Sequence, residues 1–311
     1  MRLVFCGTPA FAVPTLLALR SAGHSIELVL CQPDRPSGRG LVLNVPPVKQ
    51  SALEAGLEVL QPEKIRNNAE LQTRLEAIRP DAIIIVAYGR LIPRWMLDLP
   101  RYGNLNLHGS LLPRYRGAAP IQWAVANGET VTGVTTMRLD EGMDTGDMLL
   151  RRELPIGPTD TSEDLFPRLA DLGAPLMVET LAGLEAGAIA PQRQDSHLAT
   201  SAPLLTRDDG RVDMARTAQS IYDRWRGFQP WPGAWTTVSG KKLILHRLTI
   251  TPSTPGRDPG VFRVEGDRLF FTAGDGASLE VTELQLEGRR RMPAAELLRG
   301  HGIVDGDRLG S

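Results

Sequence analysis

The sequence predicts an α/β protein in two parts, an open and mostly parallel sheet followed by a small antiparallel β-barrel. Three observations carry this. The first half alternates short apolar runs with helix-period segments, the pattern of strands joined by crossover helices. One run, DAIIIVAY (81–88), is almost uninterrupted apolar, as in strands covered on both faces. Beyond Leu205 the texture changes to short alternating segments separated by SGK, GDR and GDG, which mark tight turns between antiparallel strands.

The elements follow in order. LVFC (3–6) is a strand, and a helix runs over 13–22. IELVLCQ (26–32) is a second strand. Residues 35–47, rich in Gly and Pro, form a loop. A helix over 48–56, a strand over 57–62 and a helix over 69–78 lead to the 81–88 strand. GNLNLHGS (103–110) is a short strand, 119–127 a helix and 132–139 a further strand. The layered first part is thus Rossmann-like and covers 1–188. Residues 189–206 lack periodicity and read as a linker. Residues 207–311 hold a helix over 215–226 and the OB-like barrel segments. At roughly 100–200 residues per domain, 311 residues fit two.

Composition narrows the class. An apolar fraction of 42% with 23% charged residues excludes a disordered or coiled-coil chain. No apolar run reaches the ~18 residues of a membrane span, and the N-terminus lacks a signal-peptide core. Cys6 and Cys31 give neither a disulfide framework nor a CxxC spacing. A cytoplasmic protein with no membrane association is expected. The net charge of −1 conceals 16 basic and 14 acidic side chains over 207–311. That balance permits a polyanionic partner without demanding one.

Two segments carry chemistry. In NLNLHGS, alternation puts Asn106 and His108 on one face of a strand and Leu105 and Leu107 on the other. Ligands of open α/β sheets sit beyond the carboxyl ends of strands. An amide donor and a near-neutral imidazole there suit proton transfer, although such a pair can equally satisfy loop backbone. RLDEGMDTGD (138–147) packs two glycines among four acids. It is a solvated acidic turn or a partner for His108. Its spacing does not match a calcium loop, and no metal is expected. Asp144 and His108 lie on different strand ends and could meet, the carboxylate fixing the tautomer of the ring. An Asn, a His and an Asp around one cleft suit acyl transfer to an amine. The other histidines, His24, His197, His246 and His301, are read as structural. GTPAF after the first strand has one glycine where a dinucleotide fingerprint needs three, and no P-loop is present.

HGSLLPRYRGAAPIQWA with DEGMDTGD closely resembles the folate-dependent formyltransferases. FCGTPAFAVPTL (5–16), QPDRPSGRG (32–40), AYGRLIP (87–93), FQPWPGAW (228–235) and GRRRMPAAELLRG (288–300) extend the resemblance over the whole chain. The inserted loop at 32–40 and the C-terminal segments resemble the members whose acceptor is charged initiator tRNA. The resemblance implies that residues 1–188 are the catalytic domain and 207–311 a tRNA-binding domain. It also implies that Asn106, His108 and Asp144 are catalytic, and that Ser110, Leu111, Leu112 and Pro113 bind the folate. Arg39 would reach the acceptor end of the tRNA. The implied reaction moves the formyl group of 10-formyltetrahydrofolate, a co-substrate, to the α-amine of methionine on that tRNA.

The basic run Arg289, Arg290 and Arg291 reads as a phosphate contact or a solvated edge. Trp225, Trp231 and Trp235 can be read as core of the small barrel, and Pro-Trp-Pro at 230–232 fixes a turn. Two positions depart from the resemblance. Leu41, Val42 and Leu43 stand where the family loop is basic, and Leu204 where it often has lysine. Phosphate binding should then lean on Arg35, Arg39 and the C-terminal domain. The competing readings are a formyltransferase for a small amine, an inactive RNA-binding relative and a formate-releasing hydrolase. The loop and C-terminal domain oppose the first, and the intact Asn106, His108 and Asp144 oppose the second. The hydrolases resemble chains with a regulatory domain before the catalytic one.

Overall fold

The computed structural model describes residues 1–37, 42–251, 258–300 and 302–310. Along the chain run β1 (Arg2–Gly7), α1 (Val13–Ser21), β2 (Ser25–Leu30), β3 (Arg35–Ser37), β4 (Val42–Asn44), α2 (Pro47–Glu54), β5 (Val59–Leu60), α3 (Ala69–Ile78), β6 (Ala82–Val86), α4 (Arg94–Leu97), β7 (Asn104–His108), α5 (Pro120–Ala126), β8 (Val131–Arg138), β9 (Met148–Pro155) and α6 (Ser162–Glu185). They are followed by α7 (Ala218–Gly227), β10 (Ala234–Val238), β11 (Lys241–Thr251), β12 (Phe262–Glu265), β13 (Arg268–Thr272), β14 (Ser278–Leu286), β15 (Met292–Pro293) and α8 (Ala294–Arg299). The chain divides into two compact units. One comprises Met1–Pro120, Val131–Pro155 and Phe166–Ala202; the other comprises Ile121–Thr130, Ile156–Leu165 and Pro203–Ser311.

The first unit is built on a seven-stranded sheet of order β5-β2-β1-β6-β7-β8-β9. Its pairings from β5 to β7 are parallel, and β8 and β9 return antiparallel. The chain starts at β1, builds outward through β2 and β5, then crosses to β6. The strand order therefore reverses at the β1/β6 boundary, the point where such sheets bind ligands. β6 and β7 are buried along their whole length, which explains the unbroken apolar sequence of β6. α3 is capped by Asn68, whose side chain accepts from the Leu71 amide at 3.0 Å, a standard N-cap.

Several elements differ from the sequence reading. The stretch read as a loop over 35–47 contains the paired strands β3 and β4. β5 shrinks to the two residues that pair with Val29 and Leu30. β9 and α6 are additions that the sequence pattern does not announce. β9 is the edge strand, and beyond Leu149 its residues alternate between partly buried and exposed positions through Arg151, Arg152 and Glu153, as edges that avoid mispairing do. α6 holds Pro167 and Pro175 within a helix of 24 residues, and interior prolines erase the local helix signal. The Thr136 and Thr180 hydroxyls meet at 2.8 Å in the buried layer between β8 and α6.

The second unit holds the sheet β10-β11-β14-β13-β12, with β15 on β14; every pairing is antiparallel. The chain end closes it. Leu309 bridges Val238 of β10 and Arg308 bridges Val261 beside β12, while the Gly310 amide donates to Thr237 O at 2.8 Å. Both open edges are thereby covered. Phe262, Phe271, Leu243, Leu245, Leu269 and Leu284 fill the core without exposure. Trp225 joins them, its indole donating to Leu245 O at 3.2 Å. The Asp223–Arg226 ion pair is also buried, and Arg226 donates to the Gly157 and Asp160 carbonyls at 3.2 and 2.7 Å. Nη1 and Nη2 of the guanidinium thus have acceptors, which offsets much of the cost of burying the charge, while the buried Nε has no partner among the described residues.

Candidate functional site

The carboxyl ends of β1, β2 and β6 are stitched together by polar contacts. The Gln32 amide nitrogen donates to Thr8 Oγ1 at 3.3 Å, and Gln32 Nε2 donates to Tyr88 O at 3.0 Å. Arg90 Nε donates to Gln32 Oε1 at 3.1 Å. β7 ends beside this cluster. Its alternation places Asn104, Asn106 and His108 on one face, but they are used differently. Asn104 Nδ2 donates to Met96 O and Leu97 O at 2.8 and 3.1 Å, which ties down α4. The Asn106 carboxamide has no partner among the described residues, although the residue is only 9% exposed.

His108 is 6% exposed. Its Nε2 lies 2.9 Å from Tyr115 O. A carbonyl can only accept, so this nitrogen carries the proton. Nδ1 faces Asp144 Oδ2 at 3.7 Å, a contact that is attractive when Nδ1 also holds a proton. The same Oδ2 accepts from the Gly117 amide at 2.8 Å. The structure therefore brings His108 and Asp144 together, with Asn106 one strand position inward. Both ring nitrogens face protein groups in this conformation.

The Asp144 loop is held by its own chemistry. Asp140 Oδ1 accepts from the Gly142 amide and the Thr145 hydroxyl at 3.0 and 2.7 Å, an Asx-type turn. Asp144 itself has φ +54°, a left-handed conformation that aspartate tolerates better than most residues. Gly146 runs so close to β8 that a Cβ there would lie 1.9 Å from Arg138 O. Gly117, at φ +125°, would place a Cβ 2.5 Å from Ala202 O. Glu141 pairs with Arg94 at 3.1 Å. The loop carboxylates thus serve turn, ring and surface, and no group of three metal-ligating side chains occurs among the described residues.

Ser110–Pro113 leaves β7 under tight control from β8. The Thr135 hydroxyl donates to Ser110 O at 2.7 Å and accepts from the Leu112 amide at 3.1 Å. Ser110 Oγ donates to Arg114 O at 2.7 Å, and Arg151 donates to Leu112 O at 3.2 Å. The Leu112–Pro113 peptide is cis. Leu112 is fully buried with Met137 and Met148, so its side chain is core; Leu111 is partly exposed.

The segment read as a linker is part of this site. Gln192 and Met148 exchange backbone hydrogen bonds of 2.8 Å, and the Arg116 amide donates to Thr200 O at 2.8 Å. The Tyr115 amide donates to Thr200 Oγ1 at 2.8 Å. Gln194, 6% exposed, donates to Asp144 O and Gly146 O at 2.8 and 2.7 Å. No periodicity marks these residues in the sequence.

The residues expected at a nucleic acid are more scattered. Arg39 and Leu41 lie outside the described residues. The base of their loop is anchored where Asp34 meets Lys49 Nζ at 2.6 Å and Gln61 Nε2 at 2.7 Å. These hydrogen bonds hold the Asp34 carboxyl below the usual carboxylate range. In the second unit Arg289, Arg290 and Arg291 are exposed, but Arg290 pairs with Glu296 at 2.7 Å and Arg291 with Glu283 at 2.6 Å. The Arg291 guanidinium keeps the Glu283 carboxyl low. A basic aromatic feature escaped the sequence reading: Lys242 Nζ lies 4.6 Å and the Arg211 guanidinium 5.9 Å from the Trp235 ring centroid. Trp231 is 51% exposed and Leu204 74%.

Comparison with known proteins decides the family. Residues 1–181 match the model described as formyl transferase, and residues 204–302 match that of the formyl transferase C-terminal domain. The chain belongs to the formyl transferase family. This formyltransferase is 67% identical to the methionyl-tRNA formyltransferase of Acidobacterium capsulatum, with all of both chains covered. It is 56% identical to that of Koribacter versatilis, over 100% of this chain and 99% of the relative. Among solved structures it resembles the N-formyltransferase from Helicobacter canadensis in complex with folinic acid and dTDP-3-aminofucose. That match has a TM-score of 0.67 and 17% identity, covering 90% of this chain and 98% of the other. It also resembles HypX from Aquifex aeolicus in complex with tetrahydrofolic acid, with a TM-score of 0.64 and 18% identity over 99% of this chain. The chain spans about half the length of HypX. At such identities the structures speak for the fold. Among the described residues no helix is long and apolar enough to cross a membrane.

Proposed function

We propose that this formyltransferase transfers the formyl group of 10-formyltetrahydrofolate to the α-amine of methionine on charged initiator tRNA, as a methionyl-tRNA formyltransferase of translation initiation in the cytoplasm. The observation that carries the reading is the 67% identity over full length to a relative of that name, which extends through both units rather than the fold core alone.

The site supports the chemistry. An α-amine has a pKa near ~8, so a useful fraction is neutral at pH 7. Its nitrogen attacks the formyl carbon, forming the new N–C bond and pushing the carbonyl electrons onto oxygen. The Asn106 carboxamide, which has no other partner among the described residues, donates to that oxyanion. Collapse breaks the carbon–N10 bond. The attacking nitrogen loses one proton and N10 gains one. His108 relays it, oriented by the Asp144 carboxylate at Nδ1. Because Nε2 faces Tyr115 O, the relay requires the ring to exchange that carbonyl for a reacting group. Ser110–Pro113 is assigned to the folate, with Thr135 as its brace. Arg39 is assigned to the acceptor end of the tRNA. Residues 207–311, with Arg289, Arg290 and Arg291 and the cationic surroundings of Trp235, are assigned to its backbone.

The test mixes the protein with 10-formyltetrahydrofolate and methionine-charged initiator tRNA, then scores formylmethionine after hydrolysis of the ester. Charged elongator tRNA and a free aminosugar nucleotide are the controls. Product on initiator tRNA alone is expected. Formylation of the aminosugar with none on tRNA would overturn the reading in favour of a small-amine acceptor.

A further inference from the structure

The stretch 192–202 does more than connect the two units. Its backbone pairs with Met148 at one end and with Arg116 and Ala119 at the other, so it straps together the two segments that meet at His108. One side chain of the strap is buried where those segments converge. The Gln194 carboxamide uses both its donors and its oxygen there in a single orientation. Its two N–H groups go to the Asp144 and Gly146 carbonyls, at 2.8 and 2.7 Å. Its oxygen accepts from Arg116 Nε at 2.9 Å. The residue after Arg116 is Gly117, whose amide donates to Asp144 Oδ2.

We propose that Gln194 is a positioning residue for formyl transfer, fixing the Asp144 carboxylate against His108. The inference rests on the reaction proposed above. Asp144 stands in a left-handed conformation at φ +54°, and its carbonyl is anchored by Gln194 at 2.8 Å. Gln194 also accepts from the Arg116 side chain, so the main chain of the Asp144 loop and the side chain next to Gly117 are held by one amide. Remove the two donors and the Asp144 peptide is free to turn, carrying Oδ2 away from both Gly117 N and His108 Nδ1. Supporting hydrogen bonds of this kind act on the rate of the bound complex, because they set geometry rather than touch substrate.

Gln194→Glu is the first variant, since it keeps the shape and replaces the donating nitrogen by a second acceptor facing two carbonyl oxygens. Gln194→Met keeps the length and removes every hydrogen bond. Both are made in the full-length protein and checked for folding by circular dichroism. The expected result is a fall in kcat of about 10–100-fold, the usual scale for losing a group that orients a catalytic ligand, with KM for tRNA and folate within about twofold. Asp144→Asn made in either background should cost far less than it does alone, because the two residues act as one unit. Wild-type kcat in both variants overturns the proposal. So does a rise in KM alone, or an Asp144→Asn effect that multiplies in full. Loss of the fold in both variants also overturns it, since Gln194 would then hold the fold rather than the site. Wild-type protein run alongside separates the two readings: no transfer by wild type refutes the reaction, and undiminished transfer by the variants refutes only the positioning.

Discussion

Thr135 offers the sharpest test of how the site is braced. The residue is fully buried on β8, opposite His108, and its single hydroxyl satisfies two backbone groups, Ser110 O and Leu112 N. Thr135→Val keeps the shape and replaces the hydroxyl by a methyl. A buried carbonyl and a buried amide then lose their partner at once. Each unsatisfied group costs about 1–3 kcal/mol, and partial relaxation of one chain segment relieves both, so a loss of about 2–4 kcal/mol is expected. Thr135→Ser is the companion: it keeps the hydroxyl and deletes one methyl, for about 1 kcal/mol. Urea unfolding followed by far-ultraviolet circular dichroism gives both values from the midpoints at constant slope. The valine variant should also raise KM for the folate several-fold, because the displaced segment is Ser110–Pro113, and leave tRNA affinity unchanged. A valine variant within about 0.5 kcal/mol of wild type, or more stable than the serine variant, would show that Thr135 does not brace the segment.

His108→Ala should lower kcat by about 10²–10⁴ with a smaller effect on tRNA binding, as for a general acid–base group; steady-state kinetics and gel-shift titration check it. Replacing Arg289, Arg290 and Arg291 by alanine should flatten the slope of log K against log salt by a little under one unit for each phosphate left without its arginine. Because Arg290 and Arg291 already hold Glu296 and Glu283, a slope change well short of three such units is expected from gel shifts at several salt concentrations. The Asp34 carboxyl is held below its ordinary value by Lys49 and Gln61, so its stabilisation is complete above the usual carboxylate range and is lost as pH falls through the lowered folded value. The stability difference between wild type and Asp34→Asn, measured by denaturation from pH 6 down to pH 3, should therefore shrink with acid.

The centre of the parallel sheet was readable because β6 is buried on both faces and so is apolar without interruption; its AIIIV has no exposed position. Asn106 and His108 were readable because a two-residue period fixes which side chains share a face. β9 and α6 were not. The edge strand trades apolar residues for Arg151, Arg152 and Glu153, and α6 keeps its helix through two prolines because tertiary packing outweighs local propensity. The 35–44 stretch reads as a loop by its glycines and prolines, yet Arg35–Ser37 and Val42–Asn44 pair, since a short hairpin needs little apolar sequence.

Gln194 was unreadable for a different reason. It sits among Arg193, Asp195 and Ser196, a run that looks solvated by composition. What gives it a task is a pair of main-chain carbonyls 50 and 48 residues earlier. Carbonyls occur at every residue and leave no mark in a sequence, so an amide that acts on them has no partner residue to be matched with. His108 and Asp144 are the opposite case, two side chains whose chemistry complements each other before any fold is known. A complementary pair of side chains can therefore be read from a single chain, while the amide proposed to position it becomes visible only when the backbone of the 144–146 loop is in place.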